Sequence, residues 1–431
     1  MPRRRFRWIV LLLALAVAPL LQAGVLADIE ALIPAENWAE AKARGAVALA
    51  DPREHDAAVA LLFNLALESP PDFSEAEWTP WAEELQRRRS AGSPRARSLA
   101  TLSMWRAQRA FQARDRDAAV AAVDEALDLL RNGEGRISPA EQAYVLALGG
   151  QIRGLFGDYA QGTALAAEAE NLLRTPHGML ERVRRLRAIY FHALFEDRLG
   201  HYDVAVALAR QGMSEAEGLG VPDNGFRRRL VGVLSESLIS RGEFTAVRDL
   251  MRPELERLRT QAQPSLRELA MTLGHLAEAE RQLGDRELAL NYSREAAQTA
   301  AKDPALVASG SYAALLGNFG SLAYELGHYD EADAALGQNL SLLENQFGSD
   351  SLRVVPPLIN FGEVAFERNL LDEAEQRFRR ALAIVALRLA PNHVEGAPAL
   401  RGLARVLLRR GDAAGAAALL QGAIGQQEAA T

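Results

Sequence analysis

Apolar positions along this chain follow a helical spacing through most of its length. Val355, Leu358, Gly362 and Ala365 fall at intervals of three, four and three, which places them on one face of an α-helix. Ala374, Phe378, Ala381, Leu382 and Val385 form a second stripe of the same kind. A short polar break around Asn369 separates the two. The pattern predicts two amphipathic helices joined by a tight turn, and the arrangement recurs along the chain.

The recurrence is visible as near-copies. Leu326-Gly-His-Tyr-Asp-Glu-Ala332 repeats Leu199-Gly-His-Tyr-Asp-Val-Ala205, and Phe156-Gly-Asp-Tyr159, Arg241-Gly-Glu-Phe244, Leu283-Gly-Asp-Arg286 and Arg410-Gly-Asp-Ala413 follow the same scheme. Anchoring on the glycine or its substitute gives Arg114, Gly157, Gly200, Gly242, Gly284, Gly327, Asn369 and Gly411, spaced by 42 or 43 residues. Chance recurrence does not hold to one residue over eight units. Glycine or asparagine at the anchor takes the left-handed conformation that ends a helix without a large steric cost.

Helices joined this tightly must cross closely, and a close crossing needs small side chains. Seven residues before the anchors stand Ala107, Gly150, Ala193, Ser235, Ala277, Gly320, Gly362 and Ala404. Five residues after them stand Ala119, Gly162, Ala205, Val247, Ala289, Ala332, Ala374 and Ala416. We read these as one crossing point repeated eight times.

Small, then glycine, then aromatic, then alanine, as in Gly320, Gly327, Tyr329 and Ala332, resembles the tetratricopeptide repeat. That family usually has a period of about 34 residues. The longer unit here is similar to the variety found in kinesin light chains and many bacterial proteins. Phe347-Gly-Ser-Asp-Ser-Leu352 and Leu389-Ala-Pro-Asn-His-Val394 resemble its inter-repeat loop. Arg114 and Arg116 depart from the motif in the first unit, where the resemblance is loosest. HEAT and armadillo repeats have a similar period but not this turn. The resemblance implies an all-α fold, a tetratricopeptide-repeat α-solenoid in which antiparallel helix pairs build a right-handed superhelix.

The expected organisation is a signal peptide over 1–27, a divergent helical cap over 28–92, a repeat array of about eight units over 93–426, and a tail over 427–431. The cap is read from candidate helices at Trp38–Lys42, Ala57–Leu67 and Glu75–Arg89 that leave the register. Terminal solenoid units are commonly atypical. Trp38, Trp78 and Trp81 are expected to pack inside the cap. At the other end no polar capping helix follows, so Leu419, Leu420 and Ile424 are candidates for self-association.

Residues 2–7 carry four arginines, Trp8–Leu21 is apolar, and Val25-Leu26-Ala27 offers small residues before Asp28. Charged start, apolar middle and small-residue end form a secretory pattern, with cleavage before Asp28. The alternative is an uncleaved anchor, which Pro19 and Gln22 weaken. Arg3-Arg4-Arg5-Phe6 resembles a twin-arginine signal, although the Leu-rich core fits the general secretory route. The expected location is periplasmic or secreted, in a bacterium. A membrane enters only if this segment stays in place.

Apolar residues make up 49% of the chain and aromatics 6%, a mix rich in Ala and Leu that favours helices. Beyond residue 27 there are 45 basic against 56 acidic residues, a balance of −11. Such a chain repels phosphate backbones, which argues against nucleic acid. Cysteine is absent, which excludes disulfides, thiolate nucleophiles and lipoprotein modification. No two of the seven histidines lie at a metal-ligand spacing, and His201 and His328 follow anchor glycines as solvated turn residues. No nucleophile elbow, Walker A loop or dinucleotide-binding run is present. The reading is a protein without enzymatic activity, metal or cofactor; a catalytic group assembled across distant repeats leaves no motif.

Binding is the positive expectation. In the resembling family the first helix of each unit lines the concave face. Nine residues before the anchors stand Trp105, Leu148, Phe191, Val233, His275, Asn318, Asn360 and Gly402. In kinesin-light-chain-type repeats, asparagines at this place hold the main chain of a bound peptide. Asn318 and Asn360 match, with His275 one unit earlier. An amide offers donor and acceptor together and can grip an extended backbone. The candidate peptide-binding residues are His275, Asn318, Ser321, Tyr324, Asn360, Glu363, Arg401 and Arg405, with Glu278 and Arg281 beside them. The opposing possibility is that the asparagines only satisfy polar groups between helices. The expected function is a protein- or peptide-binding scaffold of the cell envelope. The alternatives are a membrane-anchored sensory or regulatory domain of a signalling system, and an enzyme on a helical solenoid.

Overall fold

A computed structural model describes residues 32, 37–50, 96–132, 139–220, 225–389 and 393–429. The expected leader over 1–27 lies outside the described residues, as do Trp78, Trp81 and the candidate helices at 57–67 and 75–89. The described residues form eighteen α-helices and two short 3-10 turns, with no strand among them.

The chain divides into two compact units, residues 1–241 and 242–431. The first holds α1 (Trp38–Ala50), α2 (Ala96–Gln112), α3 (Arg116–Asn132), α4 (Pro139–Leu155), α5 (Tyr159–Leu172), α6 (Met179–Arg198), α7 (Tyr202–Glu217) and α8 (Gly225–Ser240). The second holds α9 (Phe244–Thr260), α10 (Leu266–Leu283), α11 (Arg286–Ala300), the single turn α12 (Pro304–Val307), α13 (Gly310–Glu325), α14 (Tyr329–Phe347), α15 (Val355–Glu367), α16 (Leu371–Arg388), α17 (Ala397–Arg409) and α18 (Ala413–Ala429). Helices α2/α3, α4/α5, α6/α7, α10/α11, α13/α14, α15/α16 and α17/α18 are packed pairs. In both units each second helix also packs on the next first helix.

All eight anchors have positive φ, from 59° at Arg114 and 61° at Asn369 to 98° at Gly284. Seven of the eight turns, all but that at Gly242, show the same pair of closing hydrogen bonds. At Gly327 its N–H donates to the Tyr324 carbonyl at 3.0 Å, and the His328 N–H to the Ala323 carbonyl at 2.8 Å. Asn369 and Leu370 repeat the pattern onto Phe366 and Ala365 at 3.0 and 2.8 Å. These bonds satisfy the carbonyls orphaned at a helix end. In several units an aspartate follows the anchor and caps the next helix, as Asp285 does by accepting from the Leu288 N–H at 3.1 Å.

All sixteen small-row residues are buried. At Gly150 an added Cβ would stand 2.9 Å from the Gly162 carbonyl oxygen, so there the rows before and after the anchor meet backbone to backbone. In later units a larger residue nine places after the anchor fills the crossing. A Cβ on Gly320 would stand 2.7 Å from Leu336, and one on Gly362 would stand 2.7 Å from the Phe378 ring. Phe378 is fully buried and is wedged between Gly362 of α15 and Gly402 of α17. Gly402 thus belongs to the core.

An ion pair joins successive turns on the outside. Arg241 bonds Asp203 at 2.6 Å within the first unit. In the second, Arg368 reaches Asp330 at 3.3 Å, and Arg410 pairs with Asp372. Each arginine stands one residue before an anchor, and each aspartate three residues after the preceding anchor. Exposed pairs of this type contribute about 0–1 kcal/mol apiece. The last helix continues to Ala429, so the tail expected over 427–431 begins as helix. Leu420 is exposed, Leu419 packs on the core, and the side chain of Ile424 lies outside the described ones.

Arg114 is the one anchor with a long side chain held at positive φ. Arg114→Gly is expected to raise stability by about 1 kcal/mol, read as a higher midpoint in urea unfolding. An unchanged or lower midpoint would show that the arginine is not strained there.

Candidate functional site

The candidate residues fall on the first helices of the second unit, along the seams between consecutive ones. Helices α13 and α15 touch, as do α15 and α17, whereas α10 and α13 stand farther apart. Each seam has a floor from the second helix between its walls. The residue nine places after the anchor lies in that floor: Ser293 between α10 and α13, Leu336 between α13 and α15, Phe378 between α15 and α17.

The seam between α13 and α15 is sealed by side chains. The Asn360 amide Nδ2 donates to the Ser321 hydroxyl at 3.0 Å. The seam between α15 and α17 is sealed by charge. Arg405 pairs with Glu363 and, at 2.6 Å, with Glu367, and it lies beside Tyr324. Its guanidinium lies 4.2 Å over the Phe366 ring. Burial pushes the Glu363 carboxyl above its ordinary range, and neighbouring Glu367 adds to this while Arg405 pulls the other way. Burial also raises the Tyr324 hydroxyl, with Glu363 and Glu367 beside it. Arg401 is exposed at the rim.

The seam between α10 and α13 is open. It encloses a cavity of about 260 Å³. Leu315, Leu322, Ala277 and Gly274 give it apolar walls over the Ser293 floor, with Asn318 and Ser321 at its edge. Asn318 is exposed, and its amide makes no hydrogen bond among the described residues. The rim carries Glu278, Arg281 and Glu325. Arg281 grips Glu278 with two donors, at 2.8 and 3.0 Å. His275 retains some contact with solvent, yet burial holds its imidazole down to about 4.

The structure therefore brings Asn318 and Ser321 together at one cavity and gathers Tyr324, Glu363 and Arg405 at the next joint. The two asparagines play different parts: Asn360 is spent on its neighbour and Asn318 is open. The first unit holds a cluster that the sequence reading did not single out. His192 Nδ1 lies 3.1 Å from Glu170, and its Nε2 lies 3.6 Å from Glu196. His201 Nδ1 lies 2.6 Å from the other oxygen of Glu196. The His192–Glu196 spacing of one helical turn was available as a signal; the approach of Glu170 from α5 was not. Among the described residues no group of three His, Cys, Asp or Glu is placed to hold a metal ion. No helix of the described residues is long and apolar enough to cross a membrane.

The tetratricopeptide-repeat family model matches residues 311–386 and 358–429. Residues 311–429 carry tetratricopeptide repeats. The chain is similar in fold to the apo form of the quorum sensor NprR from B. thuringiensis, with 12% identity and a TM-score of 0.60 over 88% of this chain and 100% of that one. It is similar to a signal-transduction ATPase with a tetratricopeptide repeat sensor from Pyrococcus horikoshii, with 13% identity and a TM-score of 0.60 over 88% of this chain and 53% of that one. It is also similar to a Rap protein complexed with competence and sporulation factor, with 13% identity and a TM-score of 0.50 over 84% of this chain and 100% of that one. No curated protein matches it. The fold is an all-α tetratricopeptide-repeat solenoid.

His275 gives the repeat face a pH signature. Its folded value of about 4 lies below the ordinary 6.5. The unfolded chain therefore takes up a proton first as pH falls. Stability is fully present above about 6.5 and is lost on the way down to about 4, by on the order of 3 kcal/mol. His275→Leu should flatten this part of the stability profile, measured by urea unfolding between pH 7 and 4. A variant with the parent's slope would assign the loss to other groups.

Proposed function

We propose that this chain is a non-enzymatic scaffold that holds an extended protein or peptide segment along the first-helix face of residues 266–409. The observation that carries the reading is the open seam between α10 and α13, with the exposed Asn318 amide at its edge. A polar group with both donor and acceptor beside an apolar hollow fits a backbone that needs the same pairing. His275, Ser321, Tyr324, Asn360, Glu363, Arg401 and Arg405 complete the face on this reading. It is supported by the company of the fold: two of the similar proteins are described as sensors, and one was solved with a bound factor. What we carry over is the capture of a partner.

We place the scaffold in a bacterial cell envelope and assign residues 1–27 as its export signal, with the mature chain starting at Asp28. The 42–43-residue unit makes it a member of the long-period, kinesin-light-chain-like variety on this proposal. N-terminal sequencing of exported protein should read Asp28 first; Met1 at the N-terminus would instead indicate an anchored protein.

The groove itself is tested with a peptide captured from the native envelope by cross-linking. Asn318→Ala should weaken its binding about tenfold and leave thermal unfolding unchanged. Asn360→Ala should weaken binding and also cost about 1 kcal/mol of stability, because the Ser321 bond is lost. Undiminished affinity in Asn318→Ala would overturn the assignment of this face.

A further inference from the structure

Among the first-helix seams of the second unit, the one between α10 and α13 is hollow, and its floor is the shortest. Leu336 and Phe378 fill the corresponding places in the two following seams, and both are fully buried. Here the floor residue is Ser293, too short to reach across. The cavity of about 260 Å³ is larger than one side chain, and the short Ser293 floor contributes part of it. Its walls are aliphatic, from Leu315, Leu322 and Ala277.

The charge at its mouth is unequal. Glu278 is occupied by the two-pronged Arg281. Glu325 is exposed and feels the charge of Arg281, but it forms no ion pair within 4 Å among the described residues. One negative charge is therefore left over above an apolar hollow. Lysine and arginine have the matching form, with a long aliphatic stem that buries along apolar surface and a charged head that stays at the edge. A short acidic side chain has no stem for the hollow and meets Glu325 with like charge.

We propose that the α10–α13 cleft is the specificity pocket of the groove and takes one lysine or arginine side chain of an extended peptide, with Glu325 as its counter-ion. The stem lies on Leu315, Leu322 and Ala277. The head sits at the mouth with Glu325, and Asn318 pairs with the adjoining main chain. The proposal rests on the peptide-groove reading above and adds what the peptide must carry.

The test is selection of phage-displayed random nonapeptides on the purified full chain, followed by affinity measurements on a selected peptide. Selected sequences should share one Lys or Arg at a fixed place. Replacing that lysine by norleucine should weaken binding about tenfold. Glu325→Gln should weaken the lysine peptide by the same factor and leave the norleucine peptide unchanged. Glu325→Lys, a change at an exposed position, should shift selection toward Asp or Glu. Ser293→Leu, which installs the residue found at Leu336, should narrow the cleft and weaken the preference. Peptides enriched without a common basic residue, or lysine peptides indifferent to Glu325→Gln, overturn the pocket and leave the groove standing. Failure to select any peptide overturns the groove and the pocket together.

Discussion

Two helices that turn back on each other through one left-handed residue have little room between them, and every other feature of this chain follows from that crowding. The turn fixes where the pair crosses. The crossing favours small residues seven before and five after the anchor, with Val247 the one larger side chain, and these are buried in every unit. Where glycine stands at the first of these rows, as at Gly320 and Gly362, the following helix can press a Leu or Phe into the gap. Phe378, with no exposed surface, then joins two pairs at once. Truncating a side chain so placed typically costs about 3–5 kcal/mol, so the floor is also the adhesive between units.

The parts set by local chemistry were readable from the sequence. Helix pairs, anchors and the small rows are short-range patterns, and the left-handed backbone appears at Arg114 and Asn369 as well as at the glycines. The ladder of Arg241, Arg368 and Arg410 onto Asp203, Asp330 and Asp372 was equally present in the register. It escaped notice because each partner lies about one period away and neither residue is distinctive alone. Gly402 shows the reverse problem. It shares the row of Asn318 and Asn360, yet it lies against the Phe378 ring. Membership of a row gives a direction on the helix, while what lies in that direction depends on the neighbouring unit.

The open cleft was hidden for the same reason. Ser293 is an unremarked polar residue on an amphipathic helix until its row is known to form a floor. Asn318 and Asn360 then separate. With Leu336 beneath it, the α13–α15 seam closes, and Asn360 finds the Ser321 hydroxyl. With Ser293 beneath it, the α10–α13 seam stays apart, and Asn318 faces an unfilled space. The two residues thus differ: Asn360 satisfies a group between helices, and the Asn318 side chain is exposed.

The residues along these seams are not the ones that stability alone would select. His275 is held near pKa 4 by burial, and Glu363 is pushed upward by burial and by Glu367. Each is a polar group kept where an apolar one would cost less. The crossing rows tolerate no such expense, because a larger or charged residue there would part the helices. The two duties are thus divided by position within the repeat. Rows at seven before, zero and five after the anchor make the fold. Rows at nine, six and two before it, with the floor nine after, decide whether a seam is sealed by an amide, sealed by an ion pair or left open. A change of one floor residue can widen or narrow a seam without disturbing a turn, which is how repeats so alike in backbone come to differ in what lies between their helices.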